Sequence, residues 1–304
     1  MFTLKDFILP ALAVIDIGTA IWLVQFGPFP LVVDTGASTA YLNVYVHVPG
    51  SVALYVAATL ALIAALLRRI RIMDFSAYAT AALGWFAFIT GTIWAAESWG
   101  SALALDPRQM SVLVFALIYS IYPAVKRGVE DPERRERLAR IYIAAGYALA
   151  VLSLIAPYLA TSFHPRPGTT MEGPLGAYMG LRILIALAVF AALAAVRPPR
   201  FVAYIYLAGI AASLVLLYPW FFYSPVRVVN VTTSSIGLAD GRVLDIKPSA
   251  VLSPAFVNNT PTLVGNFVAL IGGVPQLVRH YSAYVNLALY CATMSLLVEV
   301  RRRL

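Results

Sequence analysis

The chain has 304 residues, of which 61% are hydrophobic and 12% charged, with a formal net charge of +8. A soluble domain carries about 25% charged residues, so this composition and a mean hydropathy of +0.82 exclude one. The basic surplus falls in alternate connections between apolar runs, which marks membrane topology and excludes a nucleic-acid footprint.

In chain order, apolar runs of membrane-spanning length predict eight helices, at about 8–26, 51–67, 77–96, 109–126, 140–160, 179–196, 201–222 and 282–299. The fold class is therefore an all-α polytopic membrane protein, with about eight transmembrane helices surrounded by membrane lipid. Lys5, the Arg68, Arg69 and Arg71 cluster, the run 126–140, Arg197, Arg200 and Arg301 to Arg303 share one side. The positive-inside rule puts that side and both termini in the cytoplasm of a multi-pass cell-membrane protein. The outer face then carries 27–50, 97–108, 161–178 and 223–281. Residues 1–26 lack the basic start and cleavage site of a signal peptide. Cys291, the single cysteine, falls inside the last span as a packing residue, with no disulfide or metal knuckle to join.

The chain divides into a six-helix core, 1–200, and an additional two-helix unit, 201–304, with the outer segment 223–281. The run 126–140 alternates acid and base and reads as a solvated helical extension. In the outer segment, Val226-Arg227-Val228-Val229 and the Ala239-Asp240-Gly241 turn predict a small β element before the last helix. Asn230-Val231-Thr232 and Asn258-Asn259-Thr260 match the glycosylation sequon and fit an outer location. Residues 262–278 are apolar but broken by Gly272, Gly273 and Pro275, and read as an interfacial or re-entrant piece.

Three histidines, His47, His164 and His280, all fall at outer ends of spans. Between the first two lies Trp94 to Ser111, read as a short polar loop holding Trp94, Trp99, Glu97, Asp106 and Arg108. Neutral imidazoles are natural axial ligands of haem iron. Arg108 and Arg166, on the side the topology rule leaves poor in cations, suit carboxylates such as propionates. Arg166 sits in the stiff turn His164-Pro165-Arg166-Pro167. Asp16, inside the first span, reads as a helix–helix hydrogen-bond partner; Arg182 is costly in the sixth span unless paired or hydrated. No phosphate loop, Ser/His/Asp arrangement or carboxylate pair is present. Residue chemistry thus leaves two classes open, a haem binder and a transporter or channel of other solutes.

Gly91-Thr-Ile-Trp94-Ala-Ala-Glu97-Ser-Trp99-Gly100-Ser, through Asp106-Pro107-Arg108, resembles the tryptophan-rich WWD segment of the CcmC, CcmF and CcsA superfamily. Tyr45-Val-His47-Val-Pro49-Gly-Ser51 and His164-Pro165-Arg166-Pro167 resemble the two external histidine motifs of CcmC. The likeness covers about residues 40–200. It implies haem b (iron protoporphyrin IX) bound at the outer face, with His47 and His164 as iron ligands and Trp99, Asp106 and Arg108 as the remnant of the WWD loop. It further implies delivery to a CcmE-type haem chaperone, alongside a CcmA/CcmB-type ABC transporter, in cytochrome c maturation. Haem transfer, not catalysis by a side chain, is the expected role. Two features depart from the family: Ser101 to Leu105 replaces further tryptophans, and the chain continues beyond six spans. His280-Tyr281-Ser282 resembles the extra external histidine of the haem lyases CcsA and CcmF, which keeps His280 a candidate ligand and haem attachment to apocytochrome an alternative. A non-haem scaffold or transporter is the remaining one.

Overall fold

The computed structural model describes residues 4–28, 38–162, 173–245 and 265–304. Among these, eight helices are long and apolar enough to cross a membrane, and the protein is a multi-pass membrane protein. In order they are α1 (Leu4–Phe26), α2 (Val44–Leu66), α3 (Ile70–Trp99), α4 (Pro107–Arg127), α5 (Pro132–Leu159), α6 (Gly173–Ala195) and α7 (Arg200–Leu216). The short α8 (Tyr218–Phe222) prolongs α7, and α9 (Tyr281–Arg303) ends the chain. Their outward faces carry apolar side chains such as Val14, Ile15, Leu152, Leu184 and Leu214, as lipid contact requires.

The helices stop where local chemistry stops them. Gly100, at φ +72°, takes the left-handed conformation that ends α3. Asp106 then caps α4, with Pro107 at its first position, where a missing N–H costs nothing. Asp131 and Pro132 repeat the arrangement at α5, so the charged stretch from 132 is the helical extension its pattern predicts.

Small residues let the helices approach closely. Helix α2, packed on α3, α5 and α6, buries Ala53, Ala57, Ala58, Ala61, Ala64 and Ala65. A Cβ on Gly50 would lie 2.2 Å from Phe86 of α3, and one on Gly209 would lie 2.6 Å from Cys291 Sγ. Cys291 is thus a buried packing residue where α7 meets α9.

A fully buried ion pair joins Arg182 of α6 to Asp16 of α1, with Nη1 2.7 Å from Oδ1. The same carboxylate accepts from Tyr206 of α7 at 3.0 Å and from Tyr290 of α9 at 2.9 Å. One acid therefore staples four helices. Arg182 also donates from Nε to Tyr45 O at 3.2 Å. That carbonyl lies four residues before Pro49, which has no N–H to bond it. The proline frees the acceptor that the buried arginine uses.

Among the described residues, a five-stranded antiparallel sheet, ordered β3-β2-β1-β4-β5, lies between α8 and α9 in the chain. Its strands are β1 (Val226–Val231), β2 (Ile236–Leu238), β3 (Val243–Leu244), β4 (Phe267–Ile271) and β5 (Val274–Val278). Val228, Ile236, Leu238, Val268 and Leu277 form its small core. The β-containing segment before the last helix is as expected, but the re-entrant reading of 262–278 is not. From Phe267 to Val278 the chain is a hairpin, Phe267 facing Val278 and Ile271 facing Val274. Gly272 and Gly273, at φ +61° and +80°, make the two-residue turn such a hairpin favours. The glycine pair read as an interruption is the turn itself.

Candidate functional site

The described candidate residues gather at the end of the bundle that carries the sheet. His47 is not in a loop before α2, as its place beside Pro49 and Gly50 suggests, but in the first turns of the helix. Pro49 is tolerated there because Arg182 satisfies the carbonyl it orphans. The His47 ring is half-buried against α3. Its Nδ1 lies 2.7 Å from Thr90 Oγ1, and its Nε2 lies 3.4 Å from Ser51 Oγ. Trp94 meets it edge-on, with ring centroids 5.5 Å apart, and Tyr41 packs behind Trp94 at 5.9 Å. A Cβ on Gly91 would come within 3.3 Å of the His47 ring, so glycine makes room for the imidazole between the helices.

The stretch from Trp94 to Ser111 is also less of a loop than expected. Helix α3 runs on to Trp99 and α4 begins at Pro107, leaving 100–106 as the connection. Trp94 and Glu97 therefore stand on a helix, one turn apart, and Trp99 is its last residue. Asp106 is buried and accepts from the main-chain amides of Arg108 and Gln109, at 2.9 and 3.3 Å. Ser162 Oγ donates to its other oxygen at 2.6 Å, which ties the end of α5 to the start of α4. Gln109 Nε2 donates to Ala102 O at 2.7 Å and pins the connection. The Arg108 side chain is half-buried at this end of α4, and its amide, not its guanidinium, serves the Asp106 cap. His164 and Arg166 lie outside the described residues.

His280 sits at the N-cap of α9, with Nδ1 2.7 Å from Glu97 Oε1. Trp220, Phe267 and Tyr281 frame the ring at centroid distances of 5.6, 5.3 and 4.3 Å. Glu97 also accepts from Ser282 Oγ at 2.6 Å and Asn43 Nδ2 at 3.2 Å, while Asn286 Nδ2 donates to Asn43 Oδ1 at 2.7 Å. The buried carboxylate thus links the turn before α2, the end of α3 and the start of α9. Next to His280, Arg279 donates to Gln25 O, Gly27 O and Asn266 Oδ1, fastening the sheet to the end of α1. Burial pushes its guanidinium down to about 10, which still leaves a cation at neutral pH.

His47, Trp94, Glu97 and His280 are brought to one side of α3 by α2 and α9. Thr90 and Asn43 complete the arrangement without having stood out in the sequence, together with Gly91 and Ser282 from the edges of the quoted motifs. For Thr90 the one available signal was its helical spacing from Trp94, which places both on one face. Among the described residues, no group of three or more His, Cys, Asp or Glu side chains could hold a bare metal ion.

The fold and this site define a class: a polytopic helical membrane protein that gathers imidazoles beside tryptophan at one end of its bundle. The family model described as CcmC, heme exporter protein C, matches residues 1–197, and the chain belongs to that family. A curated relative, the heme exporter protein C of Bradyrhizobium diazoefficiens, is 31% identical over 134 residues, 42% of this chain. That stretch is 50% of the relative, so the chain spans about half the length of the curated protein it matches. The match to the family model ends shortly before α7.

Proposed function

We propose that the protein takes haem b as cargo at the sheet-bearing end of its bundle and passes it to a CcmE-type haem chaperone. The observation that carries this is the His47–Trp94 contact, made on the segment that resembles the family's haem loop in a chain of the heme exporter protein C family. His47 and His164 are the iron ligands in this account. Trp94 and Trp99 flank the ring, and Arg108 and Arg166 neutralise its propionates. Asp106 acts by holding the start of α4, which aims Arg108. Haem brings its own reactive vinyls and iron; the chain binds, orients and shields it.

The sheet-bearing end faces outward, with both termini and the arginine-rich connections in the cytoplasm. Residues 1–200 are the haem-handling core, and 201–304 an added unit. A CcmA/CcmB-type ABC transporter is the expected companion. A haem-lyase role is the second reading, favoured by the contact of His280 with Glu97 in the haem segment.

Mixing haem-loaded protein with a purified CcmE-type chaperone tests the assignment. Movement of the chromophore onto the chaperone is expected, with His280→Ala still competent. Transfer instead onto an apocytochrome CxxCH peptide, lost in His280→Ala, would favour the lyase.

A further inference from the structure

Both histidines described at this end contact a hydroxyl group through Nδ1, and the proton count at each hydroxyl fixes the tautomer of the ring. Thr90 Oγ1 lies 2.7 Å from Phe86 O as well as 2.7 Å from His47 Nδ1. A carbonyl oxygen only accepts, so the single hydroxyl proton of Thr90 goes to Phe86. The Nδ1 contact is then a bond only if His47 carries its proton on Nδ1 and donates it. Threonines that bond back to the carbonyl four residues earlier are ordinary in helices; Thr59, Thr80 and Thr293 do so here. What distinguishes Thr90 is the imidazole on its other side.

Ser282 repeats the pattern at the start of α9. Its Oγ lies 2.6 Å from Glu97 Oε2, which as a carboxylate only accepts, and 3.0 Å from His280 Nδ1. Asn43 Nδ2 donates to the same oxygen at 3.2 Å. The hydroxyl proton is committed to Glu97, so Nδ1 of His280 must be the donor toward Ser282. Glu97 Oε1, 2.7 Å from Nδ1, favours that proton electrostatically. The Ser282 amide also points at Nδ1, at 3.4 Å, a longer and weaker contact than that of the hydroxyl.

We infer that Thr90 and Ser282 are positioning residues: each hydroxyl takes the Nδ1 proton of one histidine, His47 or His280, and so leaves Nε2 as the lone-pair nitrogen of the neutral ring. A hydrogen bond to the non-ligating nitrogen is how proteins fix the tautomer and ring orientation of a metal-binding histidine. Thr90 and Glu97 are seven residues apart, two turns of α3 or about 10 Å of rise. One face of one helix thus sets both imidazoles, one from the part of the chain matched by the family model and one from beyond it. That the His47 nitrogen meets haem iron rests on the proposed function, and for His280 on its second reading; the tautomers themselves do not.

The test begins with haem-free, detergent-purified full-length protein carrying 15N-labelled histidine. The chain has three histidines, and single His→Gln variants assign their resonances. Both His47 and His280 are expected with Nδ1 protonated and Nε2 unprotonated. Thr90→Val should move His47 toward a mixture of tautomers while Thr90→Ser preserves it; Ser282→Ala and Ser282→Thr should do the same for His280. With haem, Thr90→Val is expected to weaken retention by about 10- to 100-fold, with recovery in Thr90→Ser. A wild-type His47 protonated on Nε2, or a tautomer unchanged in Thr90→Val, would overturn the inference. The expected tautomers in a wild type that takes up no haem would uphold the positioning role and defeat the haem assignment.

Discussion

At the scale of single residues, Asp16 and Arg182 show how a costly feature becomes a structural one. Each looks expensive alone in an apolar span, and each is the other's solution. Their pairing was not legible in the sequence, because 166 positions separate them and neither lies near a motif. Removing one partner leaves the other charge buried, which costs about 3–5 kcal/mol. Asp16→Ala should therefore sharply lower the thermal midpoint of the detergent-purified protein. Replacing both, as Asp16→Leu with Arg182→Met, should recover most of the loss. A single Asp16→Ala variant as stable as wild type would remove the ion pair from this account. His47 teaches a related lesson. Its motif was legible, but its placement inside α2 was not, since Pro49 and Gly50 read as a helix boundary. The buried arginine that accepts the proline, and the Phe86 ring that fills the space beside Gly50, both come from elsewhere in the fold.

At the scale of elements, the eight spans are legible because lipid demands long apolar helices and little else. The start of α2 and the end of α3 were harder, since both continue past the apolar runs into polar residues held by tertiary contacts. Asn43, Glu97 and Ser282 are the examples: each is buried and each is satisfied by a different element. The hairpin of β4 and β5 shows the opposite case. Its turn signal, Gly272-Gly273, was present, yet high hydropathy drew the reading toward the membrane. A β-branched residue in the left-handed region costs about 1–2 kcal/mol. Replacing Gly272-Gly273 with Val-Val should open the hairpin to limited proteolysis, whereas Asn-Gly should keep it resistant. Equal protease resistance of the two variants would argue against the turn.

At the scale of the whole molecule, the buried polar clusters hold the parts of the chain in register, and the charge pattern is the basis of the proposed orientation. The C-terminal helices and sheet are fastened to the rest at Asp16 within the bundle, at Glu97 by His280 and Ser282, and at the end of α1 by Arg279. Orientation can be read by labelling, because Cys291 is buried and contributes little background. Ser235→Cys, in the turn between β1 and β2, should react with a membrane-impermeant maleimide in intact cells. Glu136→Cys, in the charged extension of α5, should react only after permeabilisation. The reverse pattern would invert the topology and move the site to the cytoplasmic side. The sequence pointed to the outer ends of the spans, and the structure brings His47 and His280 to one end of the bundle; the hydroxyls beside them were not legible, since threonine and serine carry no distinguishing signal in apolar helices.

The most direct test of the central claim is the absorption spectrum of the purified protein beside a His47→Ala/His164→Ala variant, both expressed with haem supplied. A Soret band with sharp reduced α and β bands, lost in the double variant, is the predicted result. No chromophore in the wild type, or a spectrum unchanged in the variant, would contradict haem ligation by these two residues.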